Sequence, residues 1–223
     1  VAKTFLPPPL QDPTQQPLLE RSAVGHLRTA DGVFWFYNRE HYFRYDPKSG
    51  ALEQLPGIEK VVPPHQAGRM LGYRPGSTDE FIFSAYDQLW VWQQKTGQLR
   101  KIYEAKPYQP SLKRTADRMC VDQQQRLWFT IYGVGLVALD GQTLHPTEHL
   151  TAPSQLLSNS VFSCELDDQG DLWFASNAGL SRLHTHSLKL DHFGKPDGLS
   201  TSQFIMGASS KLKNGMLLFG NNR

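Results

Sequence analysis

A short apolar–aromatic phrase returns five times along the chain, at Phe34-Trp35-Phe36, Phe81-Ile82-Phe83, Leu127-Trp128-Phe129, Leu172-Trp173-Phe174 and Leu217-Leu218-Phe219. The first residues of these triplets stand 47, 46, 45 and 45 positions apart. A steady period of this size marks a repeat architecture, in which each unit buries its apolar face only by stacking on its neighbours. Length alone would allow one or two ordinary domains, but the repeat overrides that prior.

The clearest unit runs from Val161 to Phe193. Val161 to Leu166 alternates like a strand, and Asp167-Asp168-Gln169-Gly170 reads as a turn. Asp171 to Ala175 is a second strand and Gly179 to Leu183 a third. The segment His184-Thr185-His186-Ser187 reads as another turn, and Leu188 to Phe193 as a fourth strand. Short apolar runs separated by Gly, Asp, Asn and Ser predict an up-and-down antiparallel meander. The units around Leu127, Phe81 and Phe34 repeat the scheme, and no stretch keeps a 3.6-residue apolar period. Four strands in about 45 residues is the size of one propeller blade. The fold expected is therefore all-β, a β-propeller of four-stranded antiparallel blades, in the form of a partial ring. The triplets belong to the second strand of each blade, which lies between neighbouring blades and is apolar on both faces. Trp35, Trp128 and Trp173 are thus read as inter-blade core, and truncating Trp173 to Ala is expected to cost about 3–5 kcal/mol.

Residues 1–22 are read as an outer strand, Lys3-Thr4-Phe5-Leu6, followed by a proline-rich connection. The blades then occupy approximately 23–56, 68–104, 115–150 and 158–193, with a partial blade over 204–223. An open arc leaves an unpaired edge and an apolar face, so self-association or contact with the rest of a larger ring is expected. Of the 223 residues 39% are hydrophobic and 20% charged, with a net charge of +2. No basic stripe invites nucleic acid or a membrane surface. No apolar run approaches the 18–20 or so residues of a membrane span, and the first residues lack the regions of a signal peptide.

The chemistry-bearing residues are sparse. Cys120 and Cys164 are read as two buried free thiols, since equivalent strands of adjacent repeats are expected to lie too far apart for a disulfide. His184, His186 and His192 have spacing acceptable for metal ligands, but the first two fall in a turn, and an exposed turn is the reading preferred. His145 and His149 lie four apart on a strand and its loop, without the helix a metalloprotease motif needs. Gly133-Val134-Gly135 falls short of a dinucleotide fingerprint. No cofactor, metal site or catalytic residue is expected. One loop column, three residues beyond each triplet, gathers Arg39, Tyr86, Tyr132, Asn177 and Asn222. Rings, amides and a guanidinium around an opening suit a polyhydroxylated ligand, although all five are also ordinary turn residues.

The stretch Asp168-Gln169-Gly170-Asp171-Leu172-Trp173-Phe174-Ala175-Ser176-Asn177-Ala178-Gly179-Leu180-Ser181-Arg182-Leu183 resembles the two-component regulator propeller repeat. Asp122 to Leu139 is a looser copy. Pro196-Asp197-Gly198-Leu199 with Asn214 to Gly220 is similar to the closing blade of such propellers. The units at Phe34 and Phe81 lack the Gly-Leu pair of the repeat. The resemblance implies the periplasmic or extracytoplasmic sensor region of a bacterial inner-membrane regulator, with a histidine kinase or diguanylate cyclase as output elsewhere. Its partner would be a small molecule such as a glycan fragment, and the segment would have no catalysis of its own. A propeller lyase or hydrolase acting on polysaccharide, and a protein-interaction scaffold, are the alternatives. A cluster of acid, His or Arg groups at the central opening would favour the enzyme.

Overall fold

Second strands that are apolar on both faces need a sheet on either side, and the structure supplies both for the three middle sheets. The computed structural model describes residues 14, 25–29, 31–37, 41–55, 69–85, 87–105, 116–201 and 203–221. Sheet one contains β1 (Gly25–Arg28), β2 (Phe34–Tyr37), β3 (Tyr42–Asp46) and β4 (Ala51–Gln54). Sheet two contains β5 (Arg69–Tyr73), β6 (Glu80–Ala85), β7 (Gln88–Gln93) and β8 (Gln98–Glu104). Sheet three contains β9 (Ala116–Val121), β10 (Arg126–Ile131), β11 (Gly135–Asp140) and β12 (Pro146–Leu150). Sheet four contains β13 (Val161–Leu166), β14 (Leu172–Ser176), β15 (Gly179–His184) and β16 (Lys189–Phe193). Sheet five pairs β17 (Phe204–Lys211) with β18 (Leu217–Asn221). Every pairing is antiparallel, and no α-helix occurs among the described residues.

The first strands of successive sheets approach one another, β1 to β5, β5 to β9, β9 to β13 and β13 to β17. The fourth strands carry more polar and exposed residues than the second, as in the Gln98–Glu104 strand, although Leu52 and Leu150 on them are buried. The sheets therefore fan outward from a line of first strands, and among the described residues sheets one and five do not pair. This is the propeller arrangement, open on one side.

Between the sheets lie separate apolar layers. Trp35 stacks on Phe81 of the next sheet, with ring centroids 4.0 Å apart, and Tyr73 and Trp92 meet its edge. Ile82, Leu89, Leu127 and Phe129 join sheets two and three. Trp128, Leu136, Leu172 and Phe174 join sheets three and four. A smaller group, Phe36, Phe43, Tyr45 and Leu52, lies apart within sheet one. Burying one such side chain stabilises by roughly 1.5–3 kcal/mol, and the layers repeat that gain at each junction.

The Gly-Leu pair has a steric cause. Gly135 and Gly179 open β11 and β15 at φ +113° and +133°. A Cβ at Gly135 would sit 2.3 Å from the Leu150 carbonyl oxygen, and one at Gly179 2.5 Å from that of Phe193. The fourth strand ends against the start of the third, and only glycine leaves room.

Three expectations need correction. Cys120 and Cys164 form a disulfide, with Cα atoms 6.6 Å apart. Both lie on first strands, where neighbouring sheets converge. Their register differs by one step, since Cys120 faces Trp128 whereas Cys164 faces Phe174. Alternate strand residues point to opposite faces, so this offset turns the two sulfurs toward each other across the gap. Trp173 is half-buried rather than enclosed like Trp35 and Trp128, because among the described residues sheet five covers it with two strands. Finally, β15 extends through His184, so that residue closes a strand and the turn begins at Thr185.

Candidate ligand-binding face

Tyr132 and Asn177 occupy corresponding turns, between β10 and β11 and between β14 and β15. Arg39, Tyr86 and Asn222 lie outside the described residues. The two described turns meet at the connection between sheets three and four. The Gly133 amide donates to the Asn159 carbonyl at 2.7 Å, and the Asn177 amide donates to the Ser160 carbonyl at 3.3 Å. Consecutive carbonyls thus anchor both. The connection is itself tied down, because the Asn159 side-chain oxygen accepts the Ala152 amide at 2.7 Å and the Thr151 carbonyl accepts the amides of Gln155 and Leu156. Leu156 is buried beneath it.

The Tyr132 ring stacks nearly parallel on Phe162, at 6.0 Å between centroids and 15° between planes. Phe162 sits where the β13 register slips between Val161 and Ser163. A bulge re-aims the side chain it carries, and here it brings an aromatic ring to the lip between sheets. Both rings are half-buried and Asn177 is exposed. Two aligned aromatic faces beside a fixed loop and an amide make a surface suited to stacking and hydrogen bonding with a polar ring-shaped ligand. Sequence reading missed Phe162, which looks like one more alternating strand residue. The bulge that presents it is a property of pairing.

A second polar group lies on the line of first strands. Arg118 on β9 reaches Glu165 on β13, with 3.2 Å between Nη2 and Oε1. The same guanidinium donates to the Ser209 carbonyl on β17, and the Ser209 hydroxyl donates to Glu165 Oε1 at 2.9 Å. Three successive sheets are tied at their inner edges by one charge-assisted network. No spacing in the sequence pointed to it, because its members come from three repeats at different strand positions.

A third constellation lies toward the rim of sheet four. His184 Nδ1 is 2.8 Å from Asp171 and its Nε2 is 2.9 Å from Asp191, which also pairs with Arg182 at 2.7 Å. The Asp191 carboxyl is held below its ordinary range, first by the bond from Arg182 and then by that from His184. His192 bonds Ser181 instead, at 2.8 Å, and His186 lies beside Gln124. Among the described residues no group of three or more His, Cys, Asp or Glu is placed to hold a metal. Beside this network runs a groove of about 380 Å³, lined by Asp167, Gln169, Trp173, Leu180, Arg182, Leu217 and Phe219.

No protein-family profile matches the sequence, and no curated protein sequence matches it either. Solved structures do. The chain is similar to the extracellular domain of a one-component system of B. thetaiotaomicron, with 18% identity and a TM-score of 0.64 over 87% of this chain and 25% of that one. It is similar to the extracellular domain of a hybrid two-component system of the same organism, with 15% identity and a TM-score of 0.55 over 90% and 32%. The WD40 β-propeller domain of Doa1 matches with 13% identity and a TM-score of 0.53 over 72% and 50%. The chain thus spans about a quarter to a third of the two bacterial domains. These likenesses identify its fold as that of a β-propeller, the fold class to which the repeat pointed, and solved structures sharing it include extracellular domains of bacterial one- and two-component systems.

Proposed function

We propose that the chain is a ligand-sensing segment of an extracytoplasmic propeller, in a membrane-anchored bacterial regulator of the histidine kinase or diguanylate cyclase type. The observation that carries the reading is the fold likeness to extracellular domains of one- and two-component systems over nearly nine-tenths of the chain. The Cys120–Cys164 disulfide supports it, because such bonds persist in oxidising compartments and are rare in the cytosol. The ligand is a small polyhydroxylated molecule such as a glycan fragment. It binds where Tyr132, Phe162 and Asn177 border the connection between sheets three and four. The segment performs no chemistry; binding biases an assembly, and that bias is what crosses the membrane.

The test is calorimetric titration of the 223-residue chain with a panel of oligosaccharides, repeated on Tyr132→Ala and Asn177→Ala. Saturable binding that either substitution weakens supports the proposal; binding indifferent to both places the site elsewhere. One observation favours a second reading. Arg118 and Glu165 at the inner edges are the pair of groups expected of a propeller lyase or hydrolase, although here each is engaged by the other. New reducing ends or unsaturated sugars on incubation with polysaccharide, lost in Glu165→Gln, would establish that reading instead.

A further inference from the structure

One connection and two turns build the lip that carries Tyr132, Phe162 and Asn177, and none of the three contains a charged residue. Residues 151–160, which join β12 to β13, include no Asp, Glu, Lys, Arg or His. The turns supply Tyr132-Gly133-Val134 and Asn177-Ala178. At the opposite ends of sheets three and four, the first turns hold Asp122, Asp167 and Asp168, and Asp140 begins the turn after β11. The lip beside Tyr132 is neutral where the far end of the same sheets is acidic.

The backbone of the lip offers no cradle for an anion. The Gly133 and Val134 amides donate to the Asn159 and Ile131 carbonyls, and the Asn177 amide donates to that of Ser160. The Ala178 amide donates to the Ser176 hydroxyl at 3.1 Å and the Ser160 amide to the Ser158 hydroxyl at 3.0 Å. Amides spent inside the fold do not turn to a carboxylate or sulfate, as those of an open nest do. His149 is tied to the same lip, with Nε2 3.2 Å from the Val134 carbonyl oxygen, and is spent there.

What the lip presents is apolar. Leu156 is buried, but Leu157 beside it is 54% exposed, two residues from the Asn159 carbonyl that anchors the Tyr132 turn. Among the described residues before 204, no other large apolar side chain is strongly exposed. An aliphatic side chain and two aromatic faces match the C–H face of a pyranose ring, and the Asn177 amide matches its hydroxyls.

Resting on the binding face proposed above, we infer that its ligand is an uncharged glycan and that Leu157 is a further contact for it. An acidic sugar would bring a carboxylate or sulfate against Tyr132, Phe162 and Leu157. No Arg or Lys among the described residues of the lip replaces the water such a group must shed, and an anion left unpaired in this way binds poorly. The face therefore selects neutral sugars by withholding a counter-charge.

The probes are matched tetrasaccharides of glucose, mannose and galactose, each paired with its uronic acid counterpart, which differs only in a carboxylate in place of the hydroxymethyl group. Each is titrated calorimetrically into the 223-residue chain. The expected result is saturable binding of at least one neutral member, with its acidic partner weaker by about tenfold or more. The neutral isotherm should be unchanged between about 50 and 500 mM NaCl, since no charge pair is there to screen. Leu157→Ala should weaken the neutral ligand several-fold without moving the melting temperature, and Leu157→Lys should narrow the gap between the two members. Equal or tighter binding of an acidic member, or binding that salt abolishes, would overturn the charge preference and leave the binding face standing. No binding by any member would overturn the face itself, and this inference with it.

Discussion

The Trp128 indole N–H donates to the Asp122 carboxylate at 2.7 Å, with both side chains shut away from solvent. The same carboxylate accepts the Arg126 amide at 2.9 Å and its guanidinium at 2.7 Å, and Arg126 in turn donates to the Thr185 carbonyl of the next sheet. The arrangement recurs one repeat later, where Asp167 holds the Trp173 indole at 2.8 Å and the amides of Gln169 and Asp171. The aspartate of the repeat is therefore the group that folds the first turn and fixes the core tryptophan. Asp122→Ala should cost about 3 kcal/mol, since it orphans a buried donor and leaves Arg126 without its partner. Denaturant unfolding beside Asp168→Ala, an exposed neighbour of the second aspartate, measures the difference. Equal midpoints would show that the bond contributes nothing.

Tryptophan truncation should rank the junctions. Trp128→Ala opens a cavity between sheets three and four and should cost about 3–5 kcal/mol. Trp173→Ala, at a half-buried site, should cost less than half as much. Thermal or urea unfolding of the two variants gives the order, and a reversed order would mean that sheet five covers Trp173 more fully than its two strands suggest.

Much of this was legible in the sequence, for physical reasons that can be stated. The triplets stood out because β6 and β10 are buried on both faces and have no polar alternation to hide them. The Gly-Leu pair stood out because a carbonyl occupies the space of a Cβ. What escaped depends on register. A cysteine separation of 44, one short of the local repeat, is the signal of the disulfide, because one step of offset reverses the direction of a side chain. The Phe162 bulge and the Arg118–Glu165 pair leave no trace of that kind. Of the five residues in the loop column, the structure places Tyr132 and Asn177 against one connection.

The disulfide should be measurable in both chemistry and stability. Intact mass of the purified, unreduced chain should show no free thiol. Cys120→Ser with Cys164→Ser should lower stability by about 4 kcal/mol, the chain-entropy value for a closed loop of this length. Two reactive thiols in the unfolded, unreduced protein would contradict the bond.

Acid should loosen the rim of sheet four. The Asp191 pKa is lowered from 3.8 by the bonds from Arg182 and His184, so its ionised form is favoured by folding. That contribution is fully present above the unfolded value and disappears as pH falls through the lower folded value. Stability measured from pH 5 downward should therefore fall less steeply in Asp191→Asn than in the wild type. Identical slopes would mean that the carboxylate is equally at home in the unfolded chain.

Stacking of successive sheets through their second strands underlies the proposed binding face and the disulfide alike. A double-mutant cycle on Trp35 and Phe81, whose rings face each other at 4.0 Å across the first junction, tests it most directly. Using Trp35→Ala, Phe81→Ala and the pair, the predicted coupling is about 1 kcal/mol or more. Additivity within about 0.3 kcal/mol would mean that the two rings do not touch and that the sheets are not stacked as described.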